Sequence, residues 1–422
     1  MFRTYLACVA GAFLISTSAS AIDWNDPQSL VEAAIAASPS LREIDANLAA
    51  ARARQRGAGA TPNPMLMAGV QNQQIDLSRD PMMTMYMVGA SQTFVRKERR
   101  ESLQRSAALD LQRLEREAEA RRAEITRDVL MAYNEAAAAQ NQIAANEEIA
   151  GLANLTAEAA RARYEVGAAA QIDIIRAKLE ASNIRHEVLM QRRMRDAALA
   201  RLRALLSLPT TEEIPSFALH HAMEQHAHAE QATLDPSTAA VRAIETEVAH
   251  AEEDIRLAKL ARKPDVTVEA SYAFRPQQKD MFSVVGRIEL PIRKSTMIEP
   301  RIAEAAARRD AAVAQIDVLR QQLRSEFGEA LVQRDEAIEQ INLHVEQLVP
   351  EAKLGFESAL ASYQAGKTTF DAVLGALQTY RMLNVDYYDF LRQLLIAEAE
   401  IDALQHGATG RSGAASMMGG AR

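Results

Sequence analysis

The chain has 422 residues and a formal net charge of −8, from 48 basic and 56 acidic side chains. This balance gives no basis for binding nucleic acid, whose recognition depends on a basic surface. Aromatic residues make up only 5% of the chain, while apolar residues make up 48%. Because Ala and Leu supply most of that apolar content, the composition suits long packed helices better than a compact α/β core.

Residues 1–21 have the features of an export signal. Arg3 precedes an apolar run, residues 6–15, and Ala19-Ser20-Ala21 forms a small-x-small cleavage pattern. The only cysteine, Cys8, lies inside this run, so the mature chain is expected to contain neither a disulfide nor a lipid anchor. No later segment holds 18 uninterrupted apolar residues. An exported chain of this kind can enter an outer membrane only as β-strands.

The sequence repeats itself at an offset of about 200 residues. Asn63-Pro64 corresponds to Lys263-Pro264, Arg96-Lys97 to Arg293-Lys294, and the Tyr164-x-x-Gly167 turn to Tyr363-x-x-Gly366. The predicted fold is therefore mainly α with a small β part, built as a duplicated helix–β-hairpin–long helix–long helix plan. The predicted boundaries are 22–215 for the first repeat, 216–234 for a His-containing linker, 235–406 for the second repeat and 407–422 for a disordered tail.

Apolar residues at helical spacing predict long helices in both repeats. In the first repeat these cover 27–58, capped by Asp26, then 97–152 and 156–206. In the second they cover 236–260, 300–348 and 350–404. Helices of about 50 residues are about 75 Å long, which indicates coiled-coil packing rather than a globular core.

The hairpin at 264–292 alternates along both arms. Val266, Val268, Ala270, Tyr272 and Phe274 share an apolar face. The opposite face carries Asp265, Glu269, Arg275, Arg287 and Glu289, which we expect to line a barrel lumen. Each arm has the length of a membrane-crossing strand. The hairpin at 63–95 is less regular, and methionines occupy both faces of its returning arm, so its lipid-facing side is left open.

Four strands per chain do not close a barrel, and open strand edges in a membrane cost several kcal/mol for each unpaired backbone group. Two copies would give eight strands, whose interior is filled by side chains. Three copies would give twelve strands around a water-filled lumen, which agrees better with a charged inner face. We therefore expect a homotrimer whose apolar strand face lies against outer-membrane lipid.

This layout resembles the outer membrane efflux family typified by TolC, including its branch that exports heavy metals. The resemblance covers about 26–405 and depends on the duplicated plan, on Asn63-Pro64-Met65-Leu66 and on the two Tyr-x-x-Gly turns. It implies a homotrimer in the outer membrane of a Gram-negative-type cell, with a twelve-stranded barrel and a large periplasmic helical tunnel. It also implies a periplasmic adaptor (membrane fusion) protein and an inner-membrane pump of the RND or ABC type as partners.

The resemblance also implies a gate at the helix tips, near Tyr164, Gly167, Tyr363 and Gly366. Asp173 matches an acidic position of the family pattern in the first repeat. In the second repeat Ala372 and Gly375 occupy the acidic positions, and Asp371, one residue earlier, is the candidate substitute. The alternative interpretation of either aspartate is a cap at the start of a helix.

Neither a phosphate-binding loop nor a catalytic motif occurs, and we expect no enzyme activity and no cofactor. Two groups could bind soft or transition metals, although apolar packing and a solvated connector explain them as well. They are Met83, Met85 and Met87 in the first hairpin and His220, His221, His226 and His228 in the linker. The sequence thus favours a passive exit duct for small solutes, with heavy-metal ions such as copper as one candidate cargo. The alternatives are a type I secretion duct, a periplasmic coiled-coil adaptor without a pore, and a metal-binding protein.

Overall fold

A computed structural model of the chain describes residues 23–72, 83–212, 214–215, 233–275 and 278–409. The predicted signal peptide, most of the His-containing linker, including its four histidines, and residues 410–422 lie outside these ranges. Within them the chain is mostly helical and carries one small sheet. The duplicated helix–hairpin–helix–helix plan is confirmed.

The first repeat begins with two helices where the sequence analysis predicted one. Helix α1 spans Pro27–Ala37 and α2 spans Pro39–Gly57. Asp26 caps α1 as predicted, since its carboxylate accepts from the backbone N–H groups of Gln28 and Ser29 at 3.0 and 3.2 Å. The break occurs because Pro39 disfavours a helical conformation at Ser38, whose hydroxyl caps the new helix.

The long helices of the first repeat are divided at a different place from the predicted one. Helix α3 spans Lys97–Glu165 without interruption, and α4 spans Gln171–Leu205. The predicted gap after residue 152 was wrong, because Ala153 and Thr156 are fully buried on the packed face of α3. With 69 residues, α3 is about 100 Å long.

The second repeat has the same order of elements. Helix α5 spans Ala239–Leu260, α6 spans Glu299–Leu343, α7 spans Val349–Gln364 and α8 spans Phe370–Gln405. A π-helical segment, Lys294–Ile298, precedes α6, and a second, His344–Leu348, joins α6 to α7. The predicted helix start at Pro350 agrees with α7, in which Pro350 lies in the first turn, but the single helix predicted from 350 to 404 is divided by the Tyr363–Gly366 turn. A proline has no N–H to donate to a carbonyl of the preceding turn. The wider π turn before Pro350 lets the helical backbone continue past it.

The four strands form one antiparallel sheet in the order β1-β2-β3-β4. They are β1, Met65–Gln71; β2, Met85–Phe94; β3, Val266–Phe274; and β4, Met281–Ile288. The two hairpins join through the β2–β3 pair, in which Phe94 lies opposite Val266 and Tyr86 opposite Phe274. The outer edges of β1 and β4 have no partner strand in the described chain.

The long helices form a layer in which α3 packs against α4 and α8, and α8 packs against α6. Helices α4 and α6 therefore flank the layer. A core near the turns unites both repeats through Ile184, Phe356 and Leu377, all nearly inaccessible to solvent. Nearer the sheet, α1 packs on α3 in the first repeat and α5 packs on α6 in the second.

Helices α4 and α8 end in matching turns about 200 residues apart. Leu208 N–H donates to the Arg203 carbonyl, and Ala408 N–H donates to the Ala403 carbonyl, at 2.9 and 2.8 Å. Residues 407–409 are the start of the predicted tail. Ala408 is fully buried, and the Thr409 hydroxyl donates to the Glu124 carboxylate.

Candidate functional site

One face of the sheet is apolar and exposed on all four strands. The predicted apolar face of β3 pairs with its counterpart on β4, since Val268 lies opposite Gly286 and Tyr272 opposite Phe282. Phe282 is 71% exposed, in contrast to Ser271 on the other face, which is 9% exposed. A large exposed apolar face of this kind marks a lipid or protein contact.

The strand register also shows which face of the first hairpin is the apolar one, a question that the sequence did not decide. Val88 lies opposite Tyr272 on β3 and Ala68 on β1, so the even-numbered residues of β1 and β2 belong to the apolar face. Met85 and Met87 therefore lie on the opposite face, together with Met67 on β1. Met83 precedes β2 and is 60% exposed.

The opposite face of the sheet carries charged and hydroxyl side chains beside these methionines. Glu269 and Arg287 form an ion pair at 3.2 Å across β3 and β4. The Thr93 and Thr267 hydroxyl oxygens lie 3.0 Å apart across β2 and β3. Two of the predicted lumen residues, Glu269 and Arg287, thus come together on this face.

The other three predicted lumen residues lie at the ends of the strands. Asp265 accepts from the Arg99 guanidinium at 2.8 Å and from the Arg96 backbone N–H at 3.1 Å, which ties β3 to the start of α3. Glu289 follows β4 and lines a cavity where the strands meet the helices. Arg275 follows β3, and its backbone N–H donates to Asp280 at 3.2 Å.

The predicted Tyr-x-x-Gly turns end α3 and α7 with the same hydrogen bonds. In the first, Gly167 N–H donates to the Tyr164 carbonyl and Ala168 N–H to the Arg163 carbonyl, at 2.9 and 2.8 Å. In the second, Gly366 N–H donates to the Tyr363 carbonyl at 2.9 Å. Gly167 and Gly366 have φ values of 73° and 75°, a left-handed conformation that closes a Schellman turn and favours glycine.

Side chains connect the two turns. Arg163 places its guanidinium carbon 4.6 Å from the centre of the Tyr363 ring and donates to the Tyr363 carbonyl. The Tyr363 hydroxyl donates to Asp173 at 3.5 Å, and its ring meets Phe370 edge-on at 5.6 Å. Burial and the nearby Asp173 carboxylate raise the pKa of Tyr363, so this hydroxyl remains a donor at neutral pH.

Asp173 and Asp371 both lie in the first turn of a helix, but neither is its cap. The N-cap positions are Ala170 and Thr369, and no side chain bonds the helix start at either one. Asp371 pairs with Arg176 of α4 at 2.5 Å and keeps 73% of its side chain exposed. The alternative interpretation of these residues as caps was therefore wrong. Their position is still favourable for negative charge at a helix N-terminus.

Several residues that connect the repeats were missed by sequence reasoning. Arg163 and Arg176 resemble the many other arginines on charged helix faces, so no local signal distinguishes them. Glu180 is another case, since it is buried between the repeats, accepts from Gln378 at 2.9 Å and lies 3.5 Å from Arg381. Their partners lie about 200 residues away in sequence, and only the packing of the first repeat against the second reveals them.

The flanking helices expose apolar side chains. On α4 these follow a helical stripe, and on α6 and α7 they are spread along the outer surface. The exposed side chains are Ile172, Ile175, Leu179, Leu189 and Met194 on α4, and Val313, Val318, Val332, Leu343 and Leu354 on α6 and α7.

In the described ranges, no three His, Cys, Asp or Glu residues are arranged to hold a metal ion. The described helices also include none that is both long and apolar enough to cross a membrane.

Comparisons with known proteins agree with this arrangement. The family described as outer membrane efflux protein matches residues 30–207 and 236–405, one match in each repeat. The crystal structure of the outer membrane protein VceC from Vibrio cholerae is similar, with a TM-score of 0.76 and 20% identity over 91% of this chain and 96% of that one. A comparison with curated protein sequences gives no match.

Two further solved structures share the fold. The outer-membrane channel OprN has a TM-score of 0.78 at 17% identity, covering 91% of each chain. The open-state MtrE outer membrane channel of Neisseria gonorrhoeae has a TM-score of 0.74 at 16% identity, covering 97% of this chain and 99% of that one. Because the family matches in both repeats and covers well over half of the sequence, the chain belongs to the outer membrane efflux protein family.

Proposed function

We propose that this outer-membrane protein is the exit duct of a tripartite efflux system and that it works as a homotrimer without chemistry of its own. The observation that carries the proposal is the sheet, which has an apolar exposed face, a polar opposite face and two unpaired edges. In a membrane those edges must be paired, because each unsatisfied backbone group there costs several kcal/mol.

Three copies supply the missing pairs. If β4 of one copy pairs with β1 of the next, four strands per chain become a closed twelve-stranded barrel with Glu269 and Arg287 facing its lumen. The flanking helices support the same arrangement. The exposed apolar stripe of α4 would meet the exposed apolar surface of α6 and α7 on the neighbouring copy, which removes both surfaces from water.

The turns at the far end of the helices are proposed as the gate. Arg163, Tyr363, Asp173, Arg176 and Asp371 hold the tips of the two repeats together within each chain. Opening the tunnel by moving one repeat away from the other would break these contacts. As proposed partners, a periplasmic adaptor protein would contact these tips and an inner-membrane pump of the RND or ABC type would supply the cargo.

We extend the proposal to soft metal ions, copper(I) among them, as one class of cargo. Its support is the register, which gathers Met67, Met85 and Met87 on the polar face of the sheet. Thioether sulfurs are ligands that suit copper(I). Their packing as flexible apolar side chains explains the same positions, so the proposal needs a direct test. Replacing all three with leucine, which keeps their size, should reduce copper resistance in cells that depend on this protein. Unchanged resistance would reject the metal role and leave the duct intact.

The duct itself is tested by its oligomeric state and its conductance. Outer-membrane fractions should yield a detergent-soluble trimer that conducts ions in planar bilayers. A monomer recovered in the soluble periplasmic extract would reject the proposal and favour the adaptor alternative.

The gate is tested separately. Asp173→Ala and Asp371→Ala should each raise the conductance, because each removes one contact between the tips. Asp310→Ala is the matched control, since Asp310 is 69% exposed and, among the described residues, forms an ion pair only with its neighbour Arg309. Conductance that stays unchanged in both tip variants would reject the gate role without affecting the duct.

A further inference from the structure

A basic collar surrounds the level at which strands become helices. We define it as segments 52–64, 95–101, 259–265 and 289–301, which are the four helix–strand junctions. All four lie at the same end of the sheet because the strands are antiparallel. The collar holds thirteen cations against the acids Glu98, Glu101, Asp265, Glu289 and Glu299, in a chain whose net charge is −8. The cations are Arg52, Arg54, Arg56, Arg96, Lys97, Arg99, Arg100, Lys259, Arg262, Lys263, Arg293, Lys294 and Arg301.

A cavity of about 630 Å³ lies within this collar, between the end of the sheet and the start of α6. Its strand residues are Thr93 on β2, Thr267 on β3 and Arg287 on β4. They lie side by side, because Thr267 is opposite both Thr93 and Arg287 in the register, and all three belong to the face opposite the apolar one. In the proposed barrel that face lines the lumen, so the cavity belongs to the lumen wall.

Cations outnumber acids around this cavity. The charged residues that line it are Arg99, Lys263, Arg287, Arg293 and Arg301, with Asp265 and Glu289. Asp265 pairs with Arg99 at 2.8 Å, and Arg287 pairs with Glu269 at 3.2 Å. Five cations thus face three carboxylates, which leaves two positive charges in each copy.

Three of these cations have no partner. Among the described residues, the side chains of Lys263, Arg293 and Arg301 form neither an ion pair nor a hydrogen bond, and all three residues are exposed. Arg96, and after it Lys263, lower the pKa of Glu98, but that carboxylate already accepts from Arg96 at 3.4 Å. The three side chains are therefore available to an anion from solution.

The proposed trimer would not supply the missing acids at this edge. If β4 of one copy pairs with β1 of the next, the segment that leads into β1 is 52–64, which contains three arginines and no acid. Three copies would then place three such cavities in a ring around the lumen. Rings of lysine and arginine side chains favour anions in pores.

We propose that each cavity binds a small oxyanion or carboxylate group through Lys263, Arg293 and Arg301, and that the ring makes the duct prefer anionic solutes. Guanidinium groups suit these ligands because their N–H groups match the two oxygens of such an anion. The inference names a class of solute and rests on the exit-duct function, since this face lines a lumen only in the barrel. The ring is a bias and not a block, because fixed charges act over only about 10 Å at 0.1 M salt, so metal ions would be slowed rather than excluded.

The preference is tested by reversal potentials under a KCl gradient, in planar bilayers of phosphatidylcholine, which has no net charge. At 0.1 M salt or below, the unmodified chain should pass chloride at least about twofold more readily than potassium ion, because a cationic wall concentrates anions near it. Salt at 1 M should remove this preference, since screening then acts within about 3 Å. The variant K263Q/R293Q/R301Q should still form a conducting trimer, with a chloride-to-potassium permeability ratio of about one or lower.

The matched control is K97Q/K259Q/K294Q, which removes three exposed cations of the same collar that do not line the cavity. This variant should keep the chloride preference. Equal loss in the two triple variants would show that charge acts from the collar as a whole, and the cavity assignment would be wrong. An unmodified trimer that conducts without preferring chloride would overturn the proposed preference and leave the exit duct intact.

Equilibrium dialysis with radiolabelled inorganic phosphate tests the site apart from conduction. The purified, detergent-solubilised full chain should bind one phosphate per chain. K263Q/R293Q/R301Q should bind it at least about tenfold more weakly, a loss that a single charge-assisted hydrogen bond can account for, and the control variant should bind it normally. Equal binding by the unmodified chain and K263Q/R293Q/R301Q would overturn the site. If the chain binds phosphate here but does not conduct, the exit-duct function and the anion preference fail while the site stands.

Discussion

Arg163 bridges the two tip turns: its guanidinium carbon lies 4.6 Å from the centre of the Tyr363 ring. The same group donates to the Tyr363 carbonyl and, at 3.2 Å, to the Ala168 carbonyl. A planar guanidinium can stack on a ring and bond two carbonyls at once, which a lysine ammonium does less well. One side chain thus joins the ends of α3 and α7, about 200 residues apart in sequence.

Replacing Arg163 should loosen the tips. We expect Arg163→Ala to raise the single-channel conductance and Arg163→Lys to have an intermediate effect, because lysine keeps the charge but not the planar fork. Arg161→Ala is the control, since within the described part of the chain Arg161 forms an ion pair only with Glu165 on its own helix, and its side chain is 74% exposed. The role assigned to Arg163 would be wrong if both alanine variants conducted alike.

Replacing a turn glycine with a residue that has a side chain should lower the stability of the fold. Gly366→Ala should lower the free energy of unfolding by about 1–2 kcal/mol, because alanine is strained in the left-handed region at φ 75°. Gly355→Ala provides the opposite control. Gly355 lies within α7 with open space around its Cα, so alanine there should stabilise the chain by about 0.5–1 kcal/mol. Denaturant unfolding measures both values, and a loss of stability at both sites would contradict the turn argument.

A charge on the apolar strand face should prevent membrane assembly. Phe282→Arg places a guanidinium on the surface proposed to contact lipid, at a cost of about 2–4 kcal/mol near the middle of the bilayer. Ser283→Arg, one residue along β4, places the same group on the polar face and should be tolerated. The amount of folded trimer in outer-membrane fractions distinguishes the two. Equal amounts would show that the apolar face does not contact lipid.

Glu253 should make stability depend on acid pH. Although burial acts in the opposite direction, the Ser102 hydroxyl and the Arg105 guanidinium lower the pKa of Glu253 below its usual 4.5. Its contribution is therefore complete above pH 4.5 and is lost as the pH falls towards the lower folded-state pKa. Glu253→Gln should reduce stability at pH 7 and weaken the dependence on pH below 4.5. Thermal unfolding across this range checks the prediction, with Glu304→Gln on an exposed helix face as the control.

The boundaries of the long helices show where sequence reasoning failed. Sequence reasoning placed a helix boundary after residue 152 and continued one helix from 350 to 404. In the structure, burial of Ala153 and Thr156 keeps α3 continuous, and a π turn accommodates Pro350. The true ends are set by Gly167 and Gly366, whose left-handed conformation is a local property that the sequence does reveal.

The orientation of the first hairpin could not be predicted from the sequence for a different reason. Its methionines are apolar on both faces, and alternation alone does not orient such a strand. The register with β3, in which Val88 lies opposite Tyr272, decides which face is exposed. Residues about 180 positions apart therefore decide the side on which Met85 and Met87 lie.

Elements whose causes are local could be predicted from residue patterns alone: the duplicated plan, the alternating second hairpin, the Asp26 cap and the two glycine turns. Local backbone preferences and side-chain periodicity are sufficient to fix these. The packing of the folded chain sets how the two hairpins join, which helices flank the layer and which arginines bridge the tips. These depend on contacts between residues far apart in the chain, which become neighbours only when apolar surfaces pack and backbone edges pair.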